Sequence, residues 1–170
     1  MSLLPPNPLP TILLLLAALR VLELAIARRN TRRLLAEGAV EAGSAHYPLI
    51  IALHLAWFLA LSFLVPWGQP PQWPWLILFL LLQPLRLWVI ATLGRFWTTR
   101  VISLPSAPLI RRGPFRFVRH PNYLIVELEL ISLPLAFGAP WIALVFGLAN
   151  ALIIAWRIRI EENLLAPRRS

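Results

Sequence analysis

RHPNYLIVELELISLPLAFGAP, residues 119 to 140, opens on polar residues, runs at once into an apolar stretch and breaks at Gly138-Ala139-Pro140. The reading of that break decides the fold. Proline cannot donate within a helix, and Gly-X-Pro interrupts the hydrogen-bond ladder. The break therefore predicts two helices, Tyr123–Phe137 and Trp141–Trp156, paired as a tight hairpin, rather than one long span. Three longer apolar segments precede them, Leu9–Ala27, Tyr47–Pro66 and Trp73–Leu93. Each of these approaches the length of about 20 residues that a helix needs to cross hydrocarbon. The chain is 59% hydrophobic and 14% charged, with a mean hydropathy of +0.72. That much apolar surface cannot be hidden inside a soluble core of 170 residues, so the solvent is lipid. The expected fold is an all-α integral membrane protein of about five transmembrane helices, forming one domain over residues 1–170. Its parts are the spans within 9–93, a loop at 94–122, and the hairpin with the C-terminal helix at 123–165. No repeat of fixed period and no alternation typical of strands is present. The first span is not read as a cleaved signal peptide, because no basic residue precedes it and its apolar run is too long.

All 16 basic residues are arginine and all seven acidic residues are glutamate, for a net charge of +9. Genomic base composition explains that uniform choice. The arginines sit between apolar spans rather than along one soluble face, so membrane lipid headgroups, not nucleic acid, are the expected partners. Arg28, Arg29, Arg32 and Arg33 follow the first span, and Arg95, Arg100, Arg111, Arg112, Arg116 and Arg119 follow the third. Arg157, Arg159, Arg168 and Arg169 close the chain, whereas GQPPQ and GAP carry no charge. The positive-inside rule then puts the N-terminus outside a bacterial inner membrane and the C-terminus in the cytoplasm. Trp67, Trp73, Trp75 and Trp141 fall at the outer interface, where amphipathic rings collect.

Arg20, Glu23, His54, Arg86 and Glu127 then all lie in the inner half of the membrane. Charges in hydrocarbon are paired or functional. Arg20–Glu23 reads as a one-turn ion pair, Arg86 as a snorkelling cation and His54 as a core histidine; alternatively, all line a polar chamber open to the cytosol. Glu127, Glu129, Arg86 and the Arg20–Glu23 pair receive no individual role. Asn150, Arg157 and Glu161 are spaced to share one helix face, while Arg159 and Glu162 read as ordinary charges at a helix end. There is no G-x-G-x-x-G, no P-loop and no G-x-S-x-G. Three histidines and no cysteine make no zinc constellation, so no metal is expected.

GPFRFVRHPNYLIVELE (113–129), followed after the hairpin by RIRIEENLL (157–165), resembles the signature of the isoprenylcysteine carboxyl methyltransferase family. The likeness covers roughly the C-terminal 70 residues. Members are integral-membrane enzymes that use S-adenosyl-L-methionine and release S-adenosyl-L-homocysteine. The stretch RRNTRRLLAEGAVEAGSAHYPLIIALHLAWF (28–58) further resembles a bacterial branch, some members of which are associated with O-methylation of alkylpyrones. The resemblance implies that Arg119, His120, Pro121, Asn122 and Tyr123 line the cofactor pocket. It implies that Ala107, Pro108, Leu109 and Ile110 cover the cofactor and that Phe115 stacks where the family has a tyrosine. It also implies that Arg157 faces the methyl acceptor and Glu161 the cofactor, the two forming the catalytic pair. His54 and Asn150 join Arg157 as candidate acceptor-side residues. Family members commonly continue into an F-G-x-x-Y tail; this sequence runs to APRRS, so closure over the cofactor is expected to involve less protein.

The residue chemistry is compatible with these roles. A carboxylate can offset the sulfonium and ammonium of the cofactor, and arginine or histidine can receive its carboxylate. Because the methyl group is already activated, placement and exclusion of water suffice. An ionised carboxylate or acidic enol needs no general base, and Arg157 can hold it by paired hydrogen bonds. The expected function is O-methylation of a lipophilic small-molecule or prenylated acceptor at the cytoplasmic face. Methylation of a phospholipid amine or a thiol, and a non-catalytic scaffold or transporter subunit, remain open as alternatives.

Overall fold

Helix α1 (Leu9–Ala36) starts beside prolines, with Pro10 in the first turn, where its missing N–H would have no helical partner anyway. The computed structural model describes residues 8–166; Arg168 and Arg169 lie outside them. The helix continues nine residues past the sequence-predicted end at Ala27. Its arginines, leucines and alanines are good helix formers, and Leu13, Leu16, Glu23, Ala27, Asn30 and Leu34 make one buried stripe. The chain leaves the helix at Gly38, whose φ of 89° only glycine adopts without strain. The N–H of Ala39 returns to the Leu34 carbonyl at 3.0 Å.

A short strand β1 (Val40–Ala42) and a 3₁₀ turn (Ser44–His46) lead into α2 (Tyr47–Leu64). Helix α3 (Trp73–Leu93) follows the proline-rich connection. Strand β2 (Val101–Ser103) then pairs antiparallel with β1, setting Val40 against Ser103 and Ala42 against Val101. This two-stranded ladder was not expected from sequence, because three residues per strand are too few to display an alternating pattern. Helix α4 (Pro121–Ala136) and helix α5 (Pro140–Leu165) complete the chain, separated by Phe137, Gly138 and Ala139. The molecule is thus essentially all-helical.

Among the described residues four helices, α1, α2, α3 and α5, are long and apolar enough to cross a membrane. Helix α4, with 16 residues, spans about 24 Å at about 1.5 Å per residue, short of a hydrocarbon core of about 30 Å. It packs against α3 on one side and α5 on the other. Pro134 lies inside α4 and cannot donate to the Leu130 carbonyl; the Trp57 indole of α2 does so instead, at 3.1 Å.

Leu13 and Leu16 of α1, Trp57 and Leu61 of α2, Phe79 of α3, Leu133 of α4 and Ile142 of α5 meet in one apolar core. A second core gathers Ala27, Leu82, Val89, Trp97 and Ile125. Charged side chains also pack among these helices. Arg86 of α3 grips the Glu23 carboxylate of α1 through Nε at 2.9 Å and Nη2 at 2.8 Å. Its Nη1 lies 3.4 Å from Glu129 of α4, and its guanidinium sits 5.9 Å from the centre of the Trp97 ring. Arg20 bonds Glu23 at 2.7 Å and Glu129 at 2.9 Å, and Gln83 donates to Glu129 at 2.9 Å.

Two of the intramembrane residues expected at the same depth stay outside this network. His54 Nδ1 turns back to the carbonyl of Ile50, 2.8 Å away, and Glu127 accepts from Asn150 on the α5 side of α4. The acidic partner on the α3 side is Glu129, two residues on and hence about 200° around the helix.

Replacing Arg86 with Met removes the more deeply buried of the two cations that both carboxylates share. The expected loss is about 3–5 kcal/mol, as for other buried ion pairs stripped of one member, measured by thermal unfolding in detergent. Arg95→Met, at the exposed Arg95–Glu37 pair, is the control, with a loss below about 1 kcal/mol.

Candidate active site

The segment between α3 and α4 folds over the ends of α1, α3 and α5. Gly113 enters its 3₁₀ turn (Gly113–Arg116) with φ 58°, and a Cβ there would stand 2.6 Å from Thr92 Oγ1. His120 precedes a proline and takes a non-helical conformation, φ −128° and ψ 63°, as the pre-proline position favours. Pro121 then starts α4, so the His120 and Tyr123 rings, three residues apart, stack at 5.4 Å with 16° between their planes.

Helix α5 presents two charged residues to this corner. Arg157 and Glu161 are four apart and share a face. The Tyr123 hydroxyl stands between them: it accepts from Arg157 Nε at 2.8 Å and donates to Glu161 Oε2 at 2.5 Å. Arg157 Nη2 donates to the Thr99 carbonyl at 2.6 Å, and its guanidinium lies 5.5 Å from the centre of the Tyr123 ring. Among the described residues Arg157 makes no direct ion pair; Glu161 reaches it only through the tyrosine hydroxyl. His120 Nδ1 is 3.6 Å from Glu161 Oε1, and its Nε2 is 2.8 Å from Glu162 Oε1. The Glu161 carboxylate, and Glu162 beside it, hold the His120 imidazole above its ordinary pKa against the opposing pull of partial burial.

These groups form one side of a cavity of about 620 Å³. Its walls include Ala107, Pro108, Leu109 and Ile110, then Phe115, then Arg119 through Tyr123, and finally Arg157 and Glu161. The structure thus brings to one cavity all the residues that the family resemblance assigns to a cofactor pocket, along with Arg157. It does not bring His54 or Asn150 to this wall. Asn150 Nδ2 donates to Glu127 Oε2 at 2.8 Å between α4 and α5, where Gly147 allows close approach: a Cβ there would be 3.1 Å from Ile131 Cγ1.

Several wall and partner residues escaped the sequence reading. Leu34 arrives because α1 runs on to Ala36, and Trp97, Arg100 and Val101 because the β1–β2 ladder folds their segment inward. Glu162 read as a helix-end charge, yet it bonds His120. The Glu161-Glu162 doublet was the available signal: adjacent carboxylates point about 100° apart on a helix, so a ring lying against that helix can reach both.

Residues 75–167 match the Isoprenylcysteine carboxyl methyltransferase (ICMT) family. The chain is 36% identical to the uncharacterized protein YpbQ of Bacillus subtilis over 151 residues, which is 86% of this chain and 89% of that protein. It is 33% identical to an uncharacterized protein of Haemophilus influenzae over 159 residues, 88% and 90% of the two chains. Over 77 residues, 45% of this chain and 36% of the other, it is 34% identical to the nickel-cobalt-cadmium resistance protein NccN of Alcaligenes xylosoxydans xylosoxydans. No solved structure matches it. The family match takes in α4, α5 and the loop between α3 and α4, which is where most of the cavity wall comes from. On that match, and with four apolar helices of spanning length, the chain is an integral membrane protein belonging to the isoprenylcysteine carboxyl methyltransferase family, a family of methyltransferases.

Proposed function

We propose that the protein is an S-adenosyl-L-methionine-dependent O-methyltransferase acting on a lipophilic acceptor at the cytoplasmic face of the membrane. The acceptor is an isoprenylcysteine-type carboxylate or an alkylpyrone-type enol; the likeness of residues 28–58 to a bacterial branch supports the second. The observation that carries the reading is Arg157, buried on the cavity wall and linked to Glu161 through Tyr123 rather than by a direct ion pair.

The residues fit the cofactor. A cavity of about 620 Å³ lies inside the range of small-molecule sites, about 300–1,000 Å³. Two wall residues, Trp97 and Asn122, carry a buried indole N–H and a buried amide oxygen without partners among the described residues, which a polar ligand can satisfy after small side-chain adjustments. Glu161 supplies negative charge for the cationic groups of the cofactor, and Arg119 positive charge for its carboxylate. When bound, the cofactor supplies a methyl group already activated on a sulfonium.

The rest is placement. Tyr123 stands between Arg157 and Glu161, so the two do not close into a direct ion pair. Among the described residues Arg157 Nη1 has no hydrogen-bond partner, which leaves that edge of the fork for an anionic acceptor oxygen. An acceptor ionised at neutral pH needs no proton removed, and no base is assigned. The apolar residues Leu34, Leu104, Leu164 and Leu165 of the wall exclude water.

The arginine distribution supports a fifth crossing by α4, paired as a hairpin with α5, with the N-terminus outside a bacterial inner membrane and the C-terminus in the cytoplasm. A reporter fused after Ser170 is expected to be active only in the cytoplasm; periplasmic activity would overturn the cytosolic site.

Three measurements follow on the site. S-adenosylhomocysteine should bind the purified protein saturably in calorimetry, and absence of binding would favour a scaffold. Arg157→Lys keeps the charge but loses the planar fork. It should lower methyl transfer by roughly 10- to 100-fold, the loss of one charge-assisted hydrogen bond at about 1.5–3 kcal/mol, and leave cofactor affinity nearly intact; Glu161→Gln should do the reverse. Parallel losses of melting temperature alone, with normal binding and turnover, would make the pair structural.

Stability should also report on His120. Its folded pKa is raised, so its ion-pair contribution is full below the ordinary value of about 6.5 and disappears as the pH rises through the higher folded value. The melting-temperature difference between wild type and His120→Gln should be largest in mild acid and shrink toward alkaline pH. A difference that grew with pH would contradict the pairing with Glu161 and Glu162.

A further inference from the structure

The stretch 28–58 lends the proposed site one apolar wall residue, Leu34, and no reacting group, and the family match begins after it, at residue 75. Three of its side chains nevertheless converge on the turn that supplies the Thr99 carbonyl to Arg157. Asn30, buried on α1, donates through Nδ2 to the carbonyls of Gly94 at 3.1 Å and Trp97 at 2.9 Å. Tyr47, the first residue of α2, brings its hydroxyl to 3.1 Å from Thr99 Oγ1. Glu41 of β1 holds Arg100 Nη1 through both carboxylate oxygens at 3.0 Å, and the Arg100 guanidinium lies 5.0 Å from the centre of the Tyr47 ring. The β1–β2 ladder fixes the register immediately downstream.

We infer that Tyr47 is a positioning residue for Arg157: through Thr99 it fixes the carbonyl that orients the guanidinium. This rests on the proposed role of Arg157. The fork has two fixed points. Nε is set by Tyr123 on α4, and Nη2 by Thr99. One bond alone leaves the planar group free to swing about it; two bonds leave Nη1 a single direction. The carbonyl can do this only if its peptide is itself held. Thr99 is half-buried in a segment without regular structure, and its side chain is tied by Tyr47. Asn30 and Glu41 brace the residues on either side. Tyr47 does not itself line the proposed cofactor pocket, which it meets only through the outer residue Arg100, and its hydrogen bond goes to Thr99 rather than to Arg157, so its effect on the reaction is indirect. The first connection of the chain thereby gains a purpose: it orients a side chain that lies more than a hundred residues later.

The test is the rate of rotation about the Arg157 Nε–Cζ bond, which exchanges Nη1 with Nη2 and requires the bond to Thr99 to break. It is read by NMR on the full chain in detergent, with the Arg157 signal identified by its loss in Arg157→Lys. Tyr47→Phe and Thr99→Val each remove the hydroxyl contact and should each speed the rotation about threefold or more, as expected for loss of a neutral hydrogen bond. The double variant should be no faster than either single one, because both cut the same link. Thr99→Ser keeps a hydroxyl and should restore the slow rotation. With an S-farnesylated cysteine as acceptor, Tyr47→Phe should lower kcat while affinity for S-adenosylhomocysteine stays unchanged. Unchanged rotation in Tyr47→Phe, additive effects in the double variant, or equal acceleration in Thr99→Ser would overturn the inference. So would acceleration accompanied by parallel falls in melting temperature and cofactor affinity, which is loosening of the fold rather than loss of aim. Failure of the wild type to methylate any lipophilic acceptor would count against the proposed function, while the rotation rates would still decide whether Tyr47 positions Arg157.

Discussion

The grip of Arg86 on Glu23 and Glu129 is the constraint from which the site follows. In hydrocarbon no water replaces a missing partner, so two arginines and two glutamates of α1, α3 and α4 have to satisfy one another. The solution brings three helices to one point with little freedom to slide. Trp97 rests near the Arg86 guanidinium and is itself part of the cavity wall. The floor of the site is thereby set by charges that never enter it. The network sums to zero charge, which is how four ionised groups can sit among apolar helices.

Prolines do comparable work at the ends of helices. Pro121 starts α4 so that His120 stays non-helical and Tyr123 points back into the corner formed with α5. Pro134 forfeits a hydrogen bond near the other end of the same helix, and the Trp57 indole from α2 takes the freed carbonyl. Pro140 opens α5 after Gly138, where a Cβ would stand 2.8 Å from Gln69 Oε1 of the connection between α2 and α3. These devices fix where α4 begins and ends, and α4 carries both the network residue Glu129 and the site residue Tyr123.

How much of this could be read from sequence depended on whether the signal was local. The starts of α2 and α3, the break at Gly138–Pro140 and the shared face of Arg157 and Glu161 are local, and they emerge from length, proline and spacing. The length of α1 did not. Its second half is arginine-rich, and a search for apolar spans ends where the arginines begin, although arginine favours helix. The choice of Glu129 over Glu127 as the network carboxylate was also closed to sequence. Helix α4 has long apolar residues on every side, so nothing in its pattern says which acidic residue faces α3. Similarly, the residues of the 119–123 turn and the Arg157–Glu161 face, which carry a motif, could be named from sequence and line one cavity, whereas Thr99, Tyr47 and Glu162 carry none. They matter only because the chain folds back on itself, through the β1–β2 ladder in one case and the docking of α5 against His120 in another.

One contrast among the arginines ties the fold to the chemistry. Arg86 and Arg157 are equally buried, at 8% exposure each. Arg86 has carboxylates from two helices. Arg157 has a tyrosine hydroxyl and a backbone carbonyl, both neutral, while the nearest carboxylate on its own helix face, Glu161, is occupied by Tyr123 and flanked by His120. Elsewhere the protein pairs even exposed arginines: Arg95 with Glu37 and Arg100 with Glu41. A buried cation denied its counter-ion costs stability. The same arrangement that imposes this cost also rules out a collapsed Arg157–Glu161 pair, because the tyrosine oxygen occupies the space between them. The physical basis of the acceptor proposal is therefore an omission: among the described residues the fold gives Arg157 two neutral groups that fix its direction and no direct ion pair, and in the proposed function an anionic acceptor oxygen is the partner that would complete it.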